Sequence, residues 1–158
     1  MRAAFTLVEL ILVMAILAIV MALSAPALSR SMRERALEQE TARLHALTLF
    51  ARNEAVSEGA AMAIWIDPSR QRYGMQPASD YGGQVIHRDY SINPDIQVEL
   101  IGERNVRADR RAMEFTPGGL PSLNSAEAIR LSDRTGASRL ISRREDGAGY
   151  EIIEEVTK

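Results

Sequence analysis

The pattern of apolar and polar residues divides the chain into three parts. In the first part, residues 5–28, nearly every residue is apolar and Glu9 is the only charged one. A helix of about 24 residues is roughly 36 Å long, enough to cross a hydrocarbon layer of about 30 Å. We therefore predict a membrane-spanning helix over residues 5–28, bent or interrupted near Pro26, where a proline removes a backbone hydrogen bond.

The second part, residues 29–59, continues as an amphipathic helix. It is rich in good helix formers and contains no proline or glycine before Gly59, which we expect to end the helix as a C-cap. One stripe carries apolar residues at spacings of seven, three and four: Leu37, Leu44, Leu47 and Ala51. Glu40 falls on the same stripe, so we expect docking of the helix to begin only at Leu44.

The third part, residues 60–158, shows the alternation and turn signals of short strands. We predict strands over residues 61–66, 71–75, 96–100, 112–115, 128–131, 139–143 and 149–154. Residues 76–90, with Pro77 and two glycines, are predicted to form a loop. One long helix followed by a small antiparallel sheet is an α+β arrangement.

Composition adds few chemical possibilities. The 158-residue chain has a net charge of −2 and no cysteine, so it has neither disulfides nor thiolate metal sites. Five arginines near the C-terminus are interspersed with acidic residues, which predicts a mixed, solvated surface rather than a phosphate-binding face. These are Arg130, Arg134, Arg139, Arg143 and Arg144. Nucleic acid is therefore not an expected partner.

Catalysis is not favoured by any motif. The two histidines, His45 and His87, have no thiol or serine-nucleophile motif to act with, and we expect both at the surface. Asp133, Glu145 and Asp146 lack the alternating spacing of a calcium loop. We expect no enzyme activity, no metal and no cofactor. Trp65, the only tryptophan, is expected in the core.

Glu9 must be explained, because a carboxylate inside a membrane helix costs roughly 2.5–3.5 kcal/mol. A cleavable signal peptide would end near Ala25, but its apolar stretch would be shorter and would hold no acid. A plain signal anchor fits the length and leaves Glu9 unexplained. Charge counting places the C-terminal side of the span in the cytoplasm, because arginines follow the span.

A third interpretation accounts for Glu9. The segment Phe5-Thr6-Leu7-Val8-Glu9-Leu10, followed by a long apolar run, resembles the N-terminal motif of type IV pilins and type II secretion pseudopilins. The resemblance implies that a prepilin peptidase removes residues 1–4 and that the new amine of Phe5 is N-methylated. Ala4 stands where the family normally has glycine, and Pro26 lies where many members have a helix-kinking proline.

The resemblance also implies how the subunit assembles and where it resides. The Phe5 amine of one subunit would neutralise the Glu9 carboxylate of its neighbour in a bundle of staggered helices. The protein would be a single-pass subunit of the bacterial inner membrane, with residues 60–158 in the periplasm. Its expected partners are major and minor pseudopilins, the prepilin peptidase, the inner-membrane assembly platform and secreted cargo.

The soluble part carries a second resemblance, to the H-type minor pseudopilins and related minor pilins. It rests on residues 49–55, the strand with Trp65, and the Phe115-Thr116-Pro117-Gly118 turn. It implies a pilin-like fold and a structural role in the pseudopilus, at its tip, in the export of folded proteins. A minor pilin of a type IV pilus or a DNA-uptake apparatus is the alternative.

Overall fold

The computed structural model describes residues 6–78, 88–102 and 111–154, apart from the side chains of residues 23–30 and 111. Within them, helix α1 (Leu7–Glu58) is followed by β1 (Met62–Asp67), β2 (Arg72–Pro77), β3 (Arg88–Ser91), β4 (Ile96–Ile101), β5 (Arg111–Phe115), β6 (Ala128–Asp133), β7 (Ser138–Arg143) and β8 (Tyr150–Glu154). The α+β class predicted from the sequence is confirmed. The chain divides into two compact units between Arg35 and Ala36.

The strands form two antiparallel sheets rather than the single small sheet expected. Their orders are β3-β2-β1-β5 and β4-β6-β7-β8. Turn signals at residues 67–70 and 146–147 correctly indicated the hairpins β1–β2 and β7–β8. The hairpin β6–β7 was not predicted. The chain enters the second sheet at β4, returns to the first for β5, and crosses again before β6. Local turn signals contain no information about those exchanges.

Strand β3 lies within the segment that we predicted to be a loop. It pairs with β2, and Tyr90 stands opposite Tyr73. Three of its four residues are exposed, so it lacks the apolar alternation that marks a half-buried strand. The remainder of the expected loop, residues 79–87, lies outside the described residues, and His87 with it.

In the second unit, the packed stripe of α1 begins one full heptad earlier than predicted. Leu37 is already buried, and the stripe continues through Leu44, Leu47, Ala51 and Ala55. Glu40, which we expected to delay docking, is itself buried. Arg43 lies beside it, with 3.7 Å between the guanidinium and the carboxylate, and offsets part of its charge. The helix ends where predicted, at Gly59, whose φ of 61° suits glycine.

The core of this unit lies between the helix stripe and both sheets. It includes Ile64, Met75, Met113, Phe115, Ile129, Leu131 and Ile141. Tyr150 adds an edge-to-face contact with Phe115 and donates a hydrogen bond of 2.8 Å from its hydroxyl to the Ala126 carbonyl. That bond satisfies the polar end of a buried ring.

Two residues differ from their expected positions. Trp65 is half-buried rather than in the core, and its ring covers Gly74 on the neighbouring strand, where a Cβ atom would clash with it. His45 is half-buried rather than at the surface, with 3.0 Å between Nε2 and the Tyr150 carbonyl oxygen. His45 therefore links α1 to the first residue of β8 and is a structural residue.

Candidate assembly site

The first described turn of α1 is capped by Thr6. Its Oγ1 accepts a hydrogen bond from the Glu9 amide at 3.3 Å, and its carbonyl accepts one from the Leu10 amide at 3.2 Å. Thr-x-x-Glu is the sequence pattern of a capping box, so this cap could have been predicted from the spacing of Thr6 and Glu9. Glu9 thus lies in the first turn, where the positive end of the helix dipole favours a negative charge.

The apolar side chains that follow Glu9 are exposed on every side of the helix. From Leu7 to Met21, the large apolar residues are 45–75% exposed, at consecutive positions as well as at helical spacings. Such a helix needs lipid or other helices to cover it. Over the described residues, no helical segment is both long enough and apolar enough to cross a membrane.

The predicted site residues differ in how far the structure describes them. Glu9 is exposed, and no described residue pairs with its carboxylate. Ala4 and Phe5 lie outside the described residues, so the processing junction stays a prediction. Helix α1 continues through Pro26, whose side chain is not described, and the bend predicted there stays a prediction.

A second polar feature, which the sequence patterns did not indicate, holds β3 against α1. The guanidinium of Arg43 lies 4.9 Å from the ring centre of Tyr90 and 5.5 Å from that of Tyr73, and its Nη2 donates to the Ser91 carbonyl at 3.0 Å. Burial, followed by the nearby Glu40 carboxylate, raises the pKa of the Tyr73 phenol well above its usual value. On the same side, the Arg88 guanidinium lies 3.9 Å from the ring centre of Phe50.

The buried aspartates and the C-terminal arginines have structural partners. Asp133 accepts hydrogen bonds from the amides of Thr135 and Ala137 and so closes the β6–β7 turn. Four of the arginines pair with acids, as the predicted mixed surface requires: Arg130 with Glu99, Arg134 with Asp95, Arg139 with Glu154 and Arg144 with Asp146. The described residues contain no cluster of three or more metal-ligating side chains.

The arrangement is therefore suited to association rather than catalysis. It combines an apolar helix surface that nothing in its own unit covers, an acid in the first helical turn, and a compact domain. Two solved structures of the minor pseudopilin EpsH of the type 2 secretion system of Vibrio cholerae resemble the chain, with TM-scores of 0.57 and 0.55. They are 10% and 13% identical to it, and the alignments cover 77% and 80% of this chain and 98% and 99% of theirs.

The type IV minor pilin FimU of Pseudomonas aeruginosa is also similar, with a TM-score of 0.55 and 17% identity over 78% of this chain and 90% of that protein. At these identities the likenesses establish the pilin-like fold alone. A comparison with curated protein sequences gave no significant match.

Two family models match the sequence itself. The prokaryotic N-terminal methylation motif matches residues 1–25, which include Phe5 and Glu9. The family described as type II transport protein GspH matches residues 40–147, which cover most of the second compact unit. The first resemblance drawn from the sequence is thus confirmed by a match to the N-terminal segment, and the second by a match to the domain. The chain belongs to the GspH family of type II transport proteins, which are structural pseudopilins rather than enzymes.

Proposed function

We propose that this pseudopilin is a minor subunit at the tip of the periplasmic pseudopilus and that it acts in the export of folded proteins across the outer membrane. Its first four residues are removed between Ala4 and Phe5, and the new amine is methylated. The match to the N-terminal methylation motif supports this processing. The prepilin peptidase, the inner-membrane assembly platform and the other pseudopilins are its partners.

The observation that carries the proposal is the setting of Glu9. It is an exposed acid at the start of a helix whose large apolar side chains are also exposed, from Leu7 to Met21. When such helices bundle, an unpaired carboxylate would be buried at a cost of several kcal/mol. The Phe5 amine of a neighbouring subunit removes that cost by pairing with it.

Before assembly, the same apolar surface anchors the subunit in the inner membrane through residues 5–28. The domain of residues 60–158 then lies in the periplasm, carried by the amphipathic continuation over residues 29–59. Long domains are translocated largely regardless of flanking charge, so the arginines after the span do not oppose this orientation. Contacts with sibling subunits and cargo involve residues 76–90 and 93–109, two stretches that include strands β3 and β4.

The experiment compares Glu9→Gln with Glu34→Gln, an exposed glutamate farther along the same helix. In cells that produce the complete secretion system, Glu9→Gln is expected to remain membrane-bound while co-purification with sibling pseudopilins and secretion of a reporter both fall strongly. Glu34→Gln is expected to behave as the parent. Intact mass of the mature chain should equal that of a methylated polypeptide beginning at Phe5. Undiminished assembly of Glu9→Gln, or a mature chain that retains its leader, would refute the proposal.

A second candidate is a minor pilin of a type IV pilus or of a DNA-uptake apparatus, which the likeness to FimU supports. Processing and anchoring would be the same in both systems. Co-purification after crosslinking separates them, because sibling pseudopilins are expected in one case and pilus subunits in the other. Salt-dependent DNA binding by the protein would favour the uptake apparatus.

A further inference from the structure

Strand β8 forms one edge of the second sheet, and no described strand covers its outer side. In the order β4-β6-β7-β8, it pairs with β7 alone. Its first residue, Tyr150, is buried, and the four residues that follow are all exposed. Neither the methylation motif nor Glu9 lies in this strand, so the proposed assembly mechanism gives the edge no role.

The hydrogen-bond pattern shows which backbone groups of β8 face outward. Tyr150 lies opposite Arg143 of β7. The Arg143 amide donates to the Glu127 carbonyl at 2.9 Å rather than to Tyr150, so the opposed residues form a non-hydrogen-bonded pair. Such pairs alternate with hydrogen-bonded ones along an antiparallel ladder. Ile152 and Glu154 therefore also direct their backbone N–H and C=O groups away from β7.

The free part of this edge begins at Ile152. The Tyr150 carbonyl is already occupied, since it lies 3.0 Å from His45 Nε2. No described residue forms a hydrogen bond with the outward backbone groups of Ile152 and Glu154. Two successive outward positions of the strand thus present donors and acceptors that nothing in the described part of the chain satisfies.

The outer edge of β5, in the first sheet, is covered by the chain itself. The Glu114 carbonyl accepts the Ser122 amide at 2.7 Å, and the Ala112 carbonyl accepts the Ala126 amide at 2.8 Å. The segment after β5 thus closes that edge. The described residues provide no such segment along β8.

The side chains of β8 add apolar surface and negative charge to the edge. Ile152 and Ile153 lie on opposite faces of the sheet and are 39% and 44% exposed. The strand also carries Glu151 and Glu154 and has no basic residue. Glu154 pairs with Arg139 of β7, whereas no described residue pairs with Glu151. A strand placed alongside would cover both isoleucines and would meet an acid without a partner.

We propose that the outer edge of β8 binds an extended, basic segment of a sibling pseudopilin, which adds one strand to the second sheet. An extended chain presents its own donors and acceptors at the spacing of the outward groups of Ile152 and Glu154. A basic side chain of that segment pairs with Glu151, and its apolar side chains cover the two isoleucines. Since a partner subunit is required, this inference rests on the proposed function.

The charge of β8 favours a different subunit over a second copy of this chain. Pairing of β8 with β8 would place the same two glutamates on both strands of the new ladder. Like charges across neighbouring strands are destabilising, and charged edge strands are protected from self-association in this way. A basic strand forms ion pairs with the same acids, so the charge selects the partner.

Amide hydrogen exchange tests whether the edge is open in the free subunit. NMR of the full-length chain in detergent micelles is expected to show fast exchange at the Ile152 amide, which faces outward. The Ile153 amide faces β7 and is expected to exchange slowly. Equal protection of the two amides would overturn the inference.

Photo-crosslinking tests what binds the edge. The full-length chain, with p-benzoylphenylalanine in place of Ile153, is produced in cells together with the complete secretion system. Irradiation is expected to give a crosslink that mass spectrometry maps to a basic, extended segment of one sibling subunit. A crosslink to a second copy of this chain, or to a segment without a basic residue, would overturn the inference.

Adding Ile152→Pro tests the backbone contact. Proline removes the outward N–H and leaves the ladder between β7 and β8 intact, so it is tolerated at an open edge. The crosslink yield should fall about tenfold, as expected for loss of a hydrogen bond together with the strand geometry around it. Ile152→Val retains the amide and is the matched control, with an unchanged yield.

Charge reversal at Glu151 tests the same contact without changing the backbone. Glu151→Arg should lower the crosslink yield, and a basic-to-glutamate change in the mapped segment should restore most of it. Glu145→Arg reverses an exposed acid in the turn between β7 and β8 and should leave the yield unchanged. A yield unaffected by Glu151→Arg, or by Ile152→Pro, would overturn the inference.

Thermal unfolding of the full-length chain separates a binding role from a structural one. Ile152→Pro and Glu151→Arg are both expected to leave the unfolding temperature close to that of the parent. A marked fall in both would show that these groups serve the fold and would overturn the inference. If the parent chain co-purifies with siblings but the edge gives no crosslink, only this inference fails. If the parent chain does not co-purify with siblings, the proposed function fails as well.

Discussion

Helix α1 contains two regions that are both rich in leucine and alanine, yet the side chains of one are exposed and a stripe of the other is buried. Between residues 7 and 22 every side chain is exposed, whereas between residues 36 and 58 one stripe is buried to within a few per cent. The first region is apolar all round, and the second is apolar at intervals of three and four. Periodicity, rather than total hydrophobicity, therefore decides whether a helix segment is buried by its own chain.

The two regions also place a glutamate differently. Glu9 is exposed in the first turn, near the positive end of the helix dipole. Glu40 is buried on the packed stripe, beside the guanidinium of Arg43 and the phenol of Tyr73. The proposed pairing between subunits concerns Glu9 alone, whereas Glu40 has Arg43 and Tyr73 of its own unit as neighbours.

Truncation of a leucine to alanine is expected to give the largest difference in the free energy of unfolding between the two regions. Leu44→Ala removes a side chain that is 1% exposed and should lower the free energy of unfolding by about 2–5 kcal/mol. Leu12→Ala removes one that is 59% exposed and should leave the stability of the domain unchanged. Urea unfolding of the full-length chain in detergent micelles, followed by the fluorescence of Trp65, measures both. Equal losses of stability in the two variants would show that the two regions do not differ in packing.

Overpacking substitutions should give a smaller difference in the free energy of unfolding between the two regions. Ala51 is fully buried where α1 meets the core, so Ala51→Leu should cost about 1–3 kcal/mol through displaced neighbours. Ala18→Leu adds the same atoms at an exposed position and should leave stability unchanged. The same unfolding measurement is used. A stable Ala51→Leu variant would mean that the packed stripe is looser than the structure indicates.

The end of the packed region depends on one backbone conformation. Gly59 has a φ of 61°, and a Cβ atom there would meet nothing within 4 Å. Gly59→Ala should therefore cost about 1–2 kcal/mol purely from the left-handed backbone. Gly118→Ala is the control, since an added Cβ there would meet only Thr116 Oγ1, at an ordinary contact distance of 3.9 Å, and φ is not positive. Similar losses in both variants would exclude this explanation.

The smallest effect concerns Tyr150, whose carbonyl contacts His45 on the packed half of α1. Tyr150→Phe removes the hydroxyl bond to the Ala126 carbonyl and should cost about 0.5–1.5 kcal/mol at neutral pH. Burial raises the pKa of Tyr150 from 10.0 to about 12, so the folded state holds its proton longer than the unfolded state. The stability that this provides is complete below pH 10 and is lost as the pH rises towards 12.

Accordingly, stability measured between pH 10 and pH 12 should decline less steeply in Tyr150→Phe than in the parent chain. Tyr73 titrates alike in both proteins and does not affect the comparison. Parallel declines would show that Tyr150 ionises at its ordinary pKa in the folded protein.

The features of this molecule that depend on the spacing of nearby residues could be predicted from the sequence. The stripe from Leu37 to Ala51, the glycine that ends the helix, and the alternation in β4 all follow from spacing along the chain. The alternation places Ile96 inside and Gln97 outside. The N-terminal motif could also be recognised from the sequence, because it contains a single acid within an apolar run.

The predictions that were wrong concern residues that are brought together from distant positions in the sequence. Strand β3 is too short and too polar to be recognised from the sequence alone. It is held in place by pairing with β2 and by two contacts with α1. Arg43 of the helix donates a hydrogen bond to Ser91 of the strand, and Arg88 of the strand lies over the ring of Phe50. The division into two sheets depends on which strand finds which partner. The start of docking was placed too late because Arg43, which lies beside Glu40, is held by partners far away in the chain. These partners are Tyr73, Tyr90 and Ser91.

The sequence by itself determined that one helix carries an exposed apolar surface with an acid near its start, and that the rest forms strands with a packed helix stripe. Those features depend on side-chain spacing within a few turns, which the linear order preserves. Only the tertiary structure decided that Glu40 is buried, because its burial depends on neighbours roughly 50 residues away in the chain.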